Sequence, residues 1–411
     1  MGSSTKKYHS ENDEVYKPLQ KHFDSLSVGY PSTKSGVEYK ILREIYDPED
    51  IHVMLALTDK DESLSQLFSR YQKLRNEKGG ESFPQYSAEE MHEKFLEIKK
   101  NGGIRMYQVD PTDLEDGVEK ESENLAEWRY SAPPFVVGIL EYSLSRYSED
   151  WVNIVDGYMH EKYAINYLST DIPQMRVVPI NQAVENKSGV VSHEKVREMI
   201  EKSSGPFIVG KCVCKYGKKL QGEPCSQTDR LELCMGTGPM GQIYLDNGWA
   251  REISKEEALE IQALNEKEGL IMQVENTQNP EFFCACCKCC CGPLHMGQGM
   301  PRSVDFLKNN YHAVIDVEKC VSCGLCEKSC AMDAIKPGKG GNPEINLKRC
   351  IGCGVCVAKC PKKAILLAKN DRLVTPPETR DDLYDQIRKN KRGTLAKYWR
   401  LLKAVLGFRV D

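Results

Sequence analysis

The feature that most restricts how this chain can fold is an internal repeat between residues 316 and 367, in which "DVEKCVSCGLCEKSCAMDAIK" is followed by "NLKRCIGCGVCVAKCPKKAIL". Each copy reads C-x2-C-x2-C-x3-C, and the second ends in Cys-Pro. Three thiolates on one tight loop can take three irons of a four-iron cube, and the fourth ligand then comes from elsewhere. Gly324 and Gly354 stand inside the loops, where backbone without a side chain can approach inorganic sulfide. In this arrangement the fourth cysteine of each copy reaches the other cube. The expected sets are therefore Cys320, Cys323, Cys326 and Cys360 for cluster one, and Cys350, Cys353, Cys356 and Cys330 for cluster two. CxxC pairs also hold zinc, but four evenly spaced cysteines per copy, twice over, argue against it here.

The segment resembles a bacterial-type ferredoxin domain with two [4Fe–4S] clusters. The resemblance implies a small pseudo-twofold fold, with a short hairpin and a helix from each copy. Two departures stand out. Ala331 replaces the usual proline after Cys330, and "PGKGGNPE" (337–344) is a short insertion between the copies. Neither removes a ligand.

All eighteen cysteines fall between Cys212 and Cys360, which divides the chain into a cysteine-free half and a cofactor-bearing half. Disulfide frameworks belong to small secreted domains, so metal is the default reading. Ten cysteines lie outside the repeat: Cys212, Cys214, Cys225 and Cys234, then the run "CACCKCCC" with Cys284, Cys286, Cys287, Cys289, Cys290 and Cys291. "PFIVGKCVC" reads as a strand that would point Cys212 and Cys214 to one face. Cys284, Cys287 and Cys290 keep a C-x2-C-x2-C spacing, and Cys286 with Cys289 offers an alternative CxxC. Neighbouring cysteines diverge in direction, so the run is expected to supply thiolates on two sides. With the 212–234 segment it would hold one or two additional iron–sulfur clusters. Zinc and metal-free redox dithiols are the alternatives. The whole pattern is similar to a family of largely uncharacterised multi-cluster ferredoxin-like proteins of anaerobes, over most of 190–370.

"GTGPMG" (236–241) satisfies G-x-G-x-x-G, but a dinucleotide fingerprint should follow a strand and open a helix. The following "QIYLDNGWA" reads as strand and turn, so a glycine-rich turn beside a cluster is expected. "Cys290-Cys291-Gly292" is similar to the CCG signature of disulfide reductases with noncubane clusters; those carry two such elements, and this chain has one. In "ISKEEALEIQALNEKEGLIMQVEN", Ser254 and Glu257 form a capping box and Gly269 stops a scaffold helix.

In the cysteine-free half, "DPEDIHVMLALT", "SLSQLFSRYQKL" and "SAEEMHEKFLEIKKNGG" read as three helices, the third capped by Ser87. "IRMYQV" and the region of "WRYSAPPFVV" would then form a wing. This order resembles a winged-helix domain. A DNA-reading helix presents Lys, Arg, Asn or Gln, whereas this third helix presents Glu89, Glu90, Glu93 and Glu97. Between Glu38 and Asp110 there are 15 acidic against 11 basic residues, the wrong balance for phosphate contact. A protein-docking role is expected, and DNA is not. Trp151, Tyr158 and Tyr163 in the next segment read as core, and "MRVVPI" (175–180) as a buried strand.

From Gln386 to Val410 there are eight basic residues and no acidic one. In "TLAKYWRLLKAVLGF", Leu395, Tyr398, Trp399, Leu402, Val405 and Leu406 share one helical face, and Lys397, Arg400 and Lys403 another. Such a helix fits an anionic membrane surface or an acidic partner, or packs on its own domain with the basic side in water. The first residues carry no apolar stretch of a signal peptide, and Lys6 stands where a myristoylation site needs Ser or Thr.

The expected class is α+β, with this organisation: a flexible tail (1–37), a winged-helix-like domain (38–135), a helical connector (136–190), a cysteine-rich cluster-binding domain (191–311), a ferredoxin domain (312–369) and a basic amphipathic tail (370–411). The expected function is iron–sulfur electron transfer between unidentified redox partner proteins, as an electron-relay subunit of an anaerobic redox system. The expected location is cytoplasmic, with peripheral contact at the inner face of the membrane. No nucleophile–base constellation, phosphate loop, flavin or nicotinamide fingerprint is visible, so a carrier is expected rather than a stand-alone catalyst. The rival readings are an Fe–S-dependent redox-sensing transcription regulator, and a disulfide or thiol reductase acting at Cys284–Cys291.

Overall fold

A computed structural model describes residues 8–78, 83–109, 128–184, 190–338 and 340–410. The chain divides into two compact units, Met1–Asn166 with Gln242–Trp249, and Tyr167–Gly241 with Ala250–Asp411. Helices and antiparallel sheets occur together, so the class is α+β. No helix among the described residues is long and apolar enough to cross a membrane.

The first unit begins with a helix, Asp13–Ser25, that corrects the expected flexible tail. Tyr16, Leu19 and Phe23 recur every three to four residues and bury one stripe of this helix, as an amphipathic pattern requires. The Tyr16 hydroxyl donates to the Tyr46 carbonyl at 2.8 Å. Helices Val37–Ile45, Asp50–Met54, Leu64–Glu77 and Ala88–Lys100 follow. Ser63 and Ser87 cap the last two, each in a reciprocal capping box that satisfies orphan N–H groups. Strands β1 (Arg105–Gln108) and β2 (Trp128–Ser131) then pair antiparallel, with Met106 opposite Tyr130. The order of three helices and two strands is present; residues 110–127, between the strands, lie outside the described residues, as do residues 1–7 with Lys6.

The expected helical connector is only partly helical. Val136 is extended and Val137 left-handed (φ 58°), which breaks any helix there; a regular helix forms at Glu149–Glu161. Trp151, Tyr158 and Tyr163 are buried core residues. The boundary between the two units also falls inside this segment.

The second unit is built on a six-stranded antiparallel sheet of β3 (Met175–Val178), β4 (Phe207–Lys211), β5 (Glu232–Gly236), β6 (Ala250–Ile253), β7 (Ile271–Glu275) and β8 (Phe282–Cys286). The spatial order is β3-β7-β8-β5-β4-β6. The helix Lys255–Glu268 starts at Ser254, whose side chain accepts from the Glu257 N–H, and stops at left-handed Gly269. Strand β9 (Tyr311–Ile315) pairs with β12 (Ile365–Lys369), and β10 (Ile335–Pro337) with β11 (Pro343–Ile345). Each ladder therefore pairs a strand that leads into one copy with a strand at the end of a copy, β9 with the end of the second and β11 with the end of the first, where the resemblance implied a hairpin within each copy.

The three regions expected as separate domains from 191 onward lie in one compact unit. One hydrophobic core contains Val209, Leu233, Met272 and Phe283 from the large sheet together with Tyr311, Ile335, Ile365 and Leu367 from the repeat region. The inner faces of these short strands are too small to bury alone and share a core with the larger sheet.

"GTGPMG" follows β5 and opens a helix, Gly238–Asp246, so the expected strand and turn after it are corrected. Its first amides are already used: Thr237 N–H donates to Glu281 O at 2.9 Å and Gly238 N–H to Ser204 O at 3.2 Å. A Cβ at Gly241 would stand 2.4 Å from the Pro206 carbonyl oxygen. The glycines serve close backbone packing, and those two amides are not available to a phosphate.

Candidate metal centre

The repeat builds two similar cavities. Cys320, Cys323, Cys326 and Cys360 line one, of about 360 Å³ with its open mouth included, alongside Val321, Pro343 and Ile365. Cys330, Cys350, Cys353 and Cys356 line the other, of about 400 Å³, alongside Met332, Ile335, Ile351 and Leu367. In both, three cysteines come from one copy and the fourth from the other.

Backbone geometry repeats with the sequence. Ala334 N–H donates to Cys330 Sγ and Ala364 N–H to Cys360 Sγ, both at 3.3 Å. Asp333 and Lys363, one residue earlier, both have φ 49°, and Gly324 and Gly354 have φ 74° and 80°. Left-handed backbone turns the amides inward, towards sulfur. Ala313 N–H also donates to Cys350 Sγ at 3.3 Å. These donors favour anionic sulfur, while burial opposes it: burial pushes the Cys353 thiol up to about 12 and raises Cys326, Cys350 and Cys356 as well. Buried thiolates in an apolar cavity need cationic metal to balance them. The residues present fit an iron–sulfur cube in each cavity: four soft ligands around a shared space, amide donors to sulfur, and apolar walls.

The two cavities differ in exposure. Cys323 is exposed, and Val321 and Leu325, which line the same cavity, are exposed as well. The second set lies deeper, and Cys330, Cys350 and Cys353 pack against the same core as Cys286 and Cys291. Cys326 of the first set is an electrostatic neighbour of Cys356 of the second. Arg349, just before Cys350 in the second copy, ties the region down by donating to the carbonyls of Met332 (2.7 Å), Met300 (2.9 Å) and Gln298 (3.2 Å).

The other ten cysteines separate into two groups. Cys287, Cys289 and Cys290 meet Cys225, which comes from a loop 62 residues upstream of Cys287. Cys284, Cys286 and Cys291 turn the other way, towards Cys212 and Cys214. Register explains part of this: Cys284 and Cys286 alternate with Ala285 on β8, and Cys284 lies opposite Cys234 on β5 and Gln273 on β7. The spacing triple Cys284, Cys287 and Cys290 is thus split between groups, as is the pair Cys286 and Cys289. Cys212 and Cys214 do not lie on an extended segment. The strand ends at Lys211, Cys212 is the N-cap of the helix Val213–Leu220, and Cys214 is in its first turn.

In the deeper group, Gln273 Nε2 donates to Cys286 Sγ (3.0 Å) and Cys291 Sγ (3.4 Å). Hydrogen bonds from Cys284 and Cys291 hold the Cys286 thiol well below its usual value. Cys291 is the N-cap of the helix Gly292–Gly299. Two helix N-termini, at Cys212 and Cys291, thus add positive potential beside these sulfurs.

Sequence reasoning passed over Lys215. Its side chain is 1 % exposed, and its ammonium donates to the Ala285 carbonyl at 2.9 Å. Burial would lower its pKa, but Cys212, Cys287, Cys286 and Cys225 outweigh burial and raise it. A buried ammonium beside sulfurs of both groups favours their anionic form. The available signal was a lysine one residue after a C-x-C.

A family model described as a 4Fe-4S dicluster domain matches residues 313–367. No curated relative matches the chain. Residues 313–367 are an iron–sulfur, ferredoxin-like domain, and an electron-transfer role follows for that region.

Proposed function

We propose that the protein is a multi-cluster electron carrier, with one [4Fe–4S] cluster held by Cys320, Cys323, Cys326 and Cys360 and a second by Cys350, Cys353, Cys356 and Cys330. The observation that carries this reading is the pair of apolar cavities, each lined by one of these cysteine sets. When bound, such clusters supply reversible one-electron chemistry, over roughly -700 to +450 mV. The chain's own residues bury the centres, exclude water through Met332, Ile335, Ile351 and Leu367, and direct amides at sulfur. The exposed edge at Cys323, flanked by Val321 and Leu325, is the face where a donor or acceptor comes near. Cys212, Cys214, Cys234, Cys284, Cys286 and Cys291 are the candidates for one further cluster. The chain reduced with dithionite, desalted and mixed anaerobically with cytochrome c should deliver at least two electrons per chain within seconds. Metal-loaded protein that delivers none contradicts the reading.

The winged-helix-like region belongs to this reading as a docking element for a protein. The exposed face of Ala88–Lys100 carries Glu89, Glu90, Glu93 and Glu97, which repel a phosphate backbone.

The C-terminal helix is a second contact, with an anionic membrane surface as its occupant. Thr394–Val405 is oriented opposite to the usual amphipathic rule. Arg400, expected on a water-facing side, is buried and donates to Asp171 at 2.6 Å, while Ala404 packs with Leu168, Phe306 and Val410. The apolar face is left outside, with Leu395 89 %, Trp399 60 % and Phe408 62 % exposed. Basic residues flank it, with Arg388, Lys389 and Arg409 exposed, and this pairing of apolar face and positive charge is complementary to anionic lipid. Vesicles containing phosphatidylglycerol should retain the wild-type chain at least tenfold better than Trp399→Glu/Leu402→Glu, and better than pure phosphatidylcholine does. Equal recovery of both chains rejects lipid and leaves the face to an acidic protein.

A further inference from the structure

The sulfurs of Cys225, Cys287, Cys289 and Cys290 all lie within 4.8 Å of one another. Four of the separations are 3.5 Å (Cys225–Cys287), 3.6 Å (Cys225–Cys289), 3.4 Å (Cys287–Cys289) and 3.7 Å (Cys289–Cys290). Four thiolates on one tetrahedral ion with metal–sulfur bonds of about 2.3 Å stand about 3.8 Å apart, and never more than about 4.6 Å. Thiolates on a cube each bind a different iron, point outward from it, and stand farther apart. Neither ferredoxin set closes up in this way; among the described residues this is the group whose sulfurs do. Its members surround a point, whereas the ferredoxin sets surround a cavity.

We infer that Cys225, Cys287, Cys289 and Cys290 form a closed site for a single thiophilic, tetrahedral ion: zinc, or one iron without inorganic sulfide. The donor set is all sulfur, which selects these metals over hard cations. Four thiolates and a divalent ion leave a net charge of minus two, and the buried Lys215 ammonium offsets part of it. Binding releases the thiol protons. With no open position, the site is a structural staple that fixes the 221–231 loop to the turn after β8. It thereby separates Cys287, Cys289 and Cys290 from Cys284, Cys286 and Cys291.

The test uses the full chain, purified anaerobically, with zinc, iron and acid-labile sulfide measured for the wild type, Cys225→Ser and Cys289→Ser. The wild type should carry one zinc, or one iron in excess of sulfide. Each variant should lose that one ion and keep the wild-type sulfide. Loss of iron and sulfide together, by about four of each, would make the group part of a cube and overturn the inference, as would no loss of metal. X-ray absorption at the zinc edge, on the unaltered chain, keeps the question open to test if the variants fail to fold; if the ion is iron, Mössbauer spectroscopy separates a lone four-sulfur iron from the clustered irons. Four sulfurs at about 2.3 Å are expected, and oxygen or nitrogen ligands, or a neighbouring metal, contradict the site.

Discussion

The eight repeat cysteines and the ten others have the same chemistry and opposite architecture. The repeat places its sulfurs around two cavities, one walled by Met332, Ala334 and Ile335 and the other by Pro343, Ala364 and Ile365, with the cysteines mostly three residues apart in sequence. The other field draws its sulfurs together from distant segments, with Cys225 and Cys289 64 residues apart, and four of them are close enough to touch. The difference teaches that sulfur separation, rather than cysteine count, distinguishes the two fields. It also teaches where charge is handled: by backbone amides in the repeat, and by a buried ammonium in the other field.

The strongest way to break this comparison is Lys215→Met. If the ammonium balances the second field alone, the variant should lose the Cys225-group ion to a chelator at least tenfold faster than the wild type, with iron and sulfide in the repeat unchanged. Equal loss of metal from both fields would mean that Lys215 supports the fold generally. Uncompensated buried charge of this kind costs about 3–5 kcal/mol when one partner is removed, so thermal stability should fall as well.

A smaller effect sharpens the comparison inside the repeat. Gly352 (φ 61°) and Ser322 (φ 52°) occupy equivalent places in the two copies. A Cβ at Gly352 would stand 2.3 Å from the Tyr311 carbonyl oxygen. Gly352→Ala should therefore cost about 1–3 kcal/mol, read as a lower melting temperature and faster loss of iron. Ser322→Gly should change stability by less than about 1 kcal/mol. Matching effects would show that the copies are less distinct than their surroundings make them.

How much was legible in the sequence follows the same division. The two repeat cysteine sets could be read from spacing because three members of each lie on one loop, and the fourth stands four residues after the corresponding loop of the other copy. Cys225 could not be paired with Cys287, Cys289 and Cys290, because that meeting depends on β5, β7 and β8 lying side by side. Lys215 was hidden because only the helix beginning at Val213 turns it inward. The helix at Asp13–Ser25 was legible in the helical spacing of Tyr16, Leu19 and Phe23, although the charged residues among them read as a solvated tail. The tail's apolar stripe was read correctly as a stripe, yet its outward orientation depends on Asp171 holding Arg400 and Arg392 from the opposite side.

The account rests on two kinds of metal centre in one compact unit, and the direct measurement is iron, zinc and acid-labile sulfide per chain on the unaltered protein purified without oxygen. The account predicts at least eight sulfides with as many irons, from two four-iron clusters, and one metal ion beyond them with no sulfide partner. Several zinc ions per chain and no labile sulfide would contradict it.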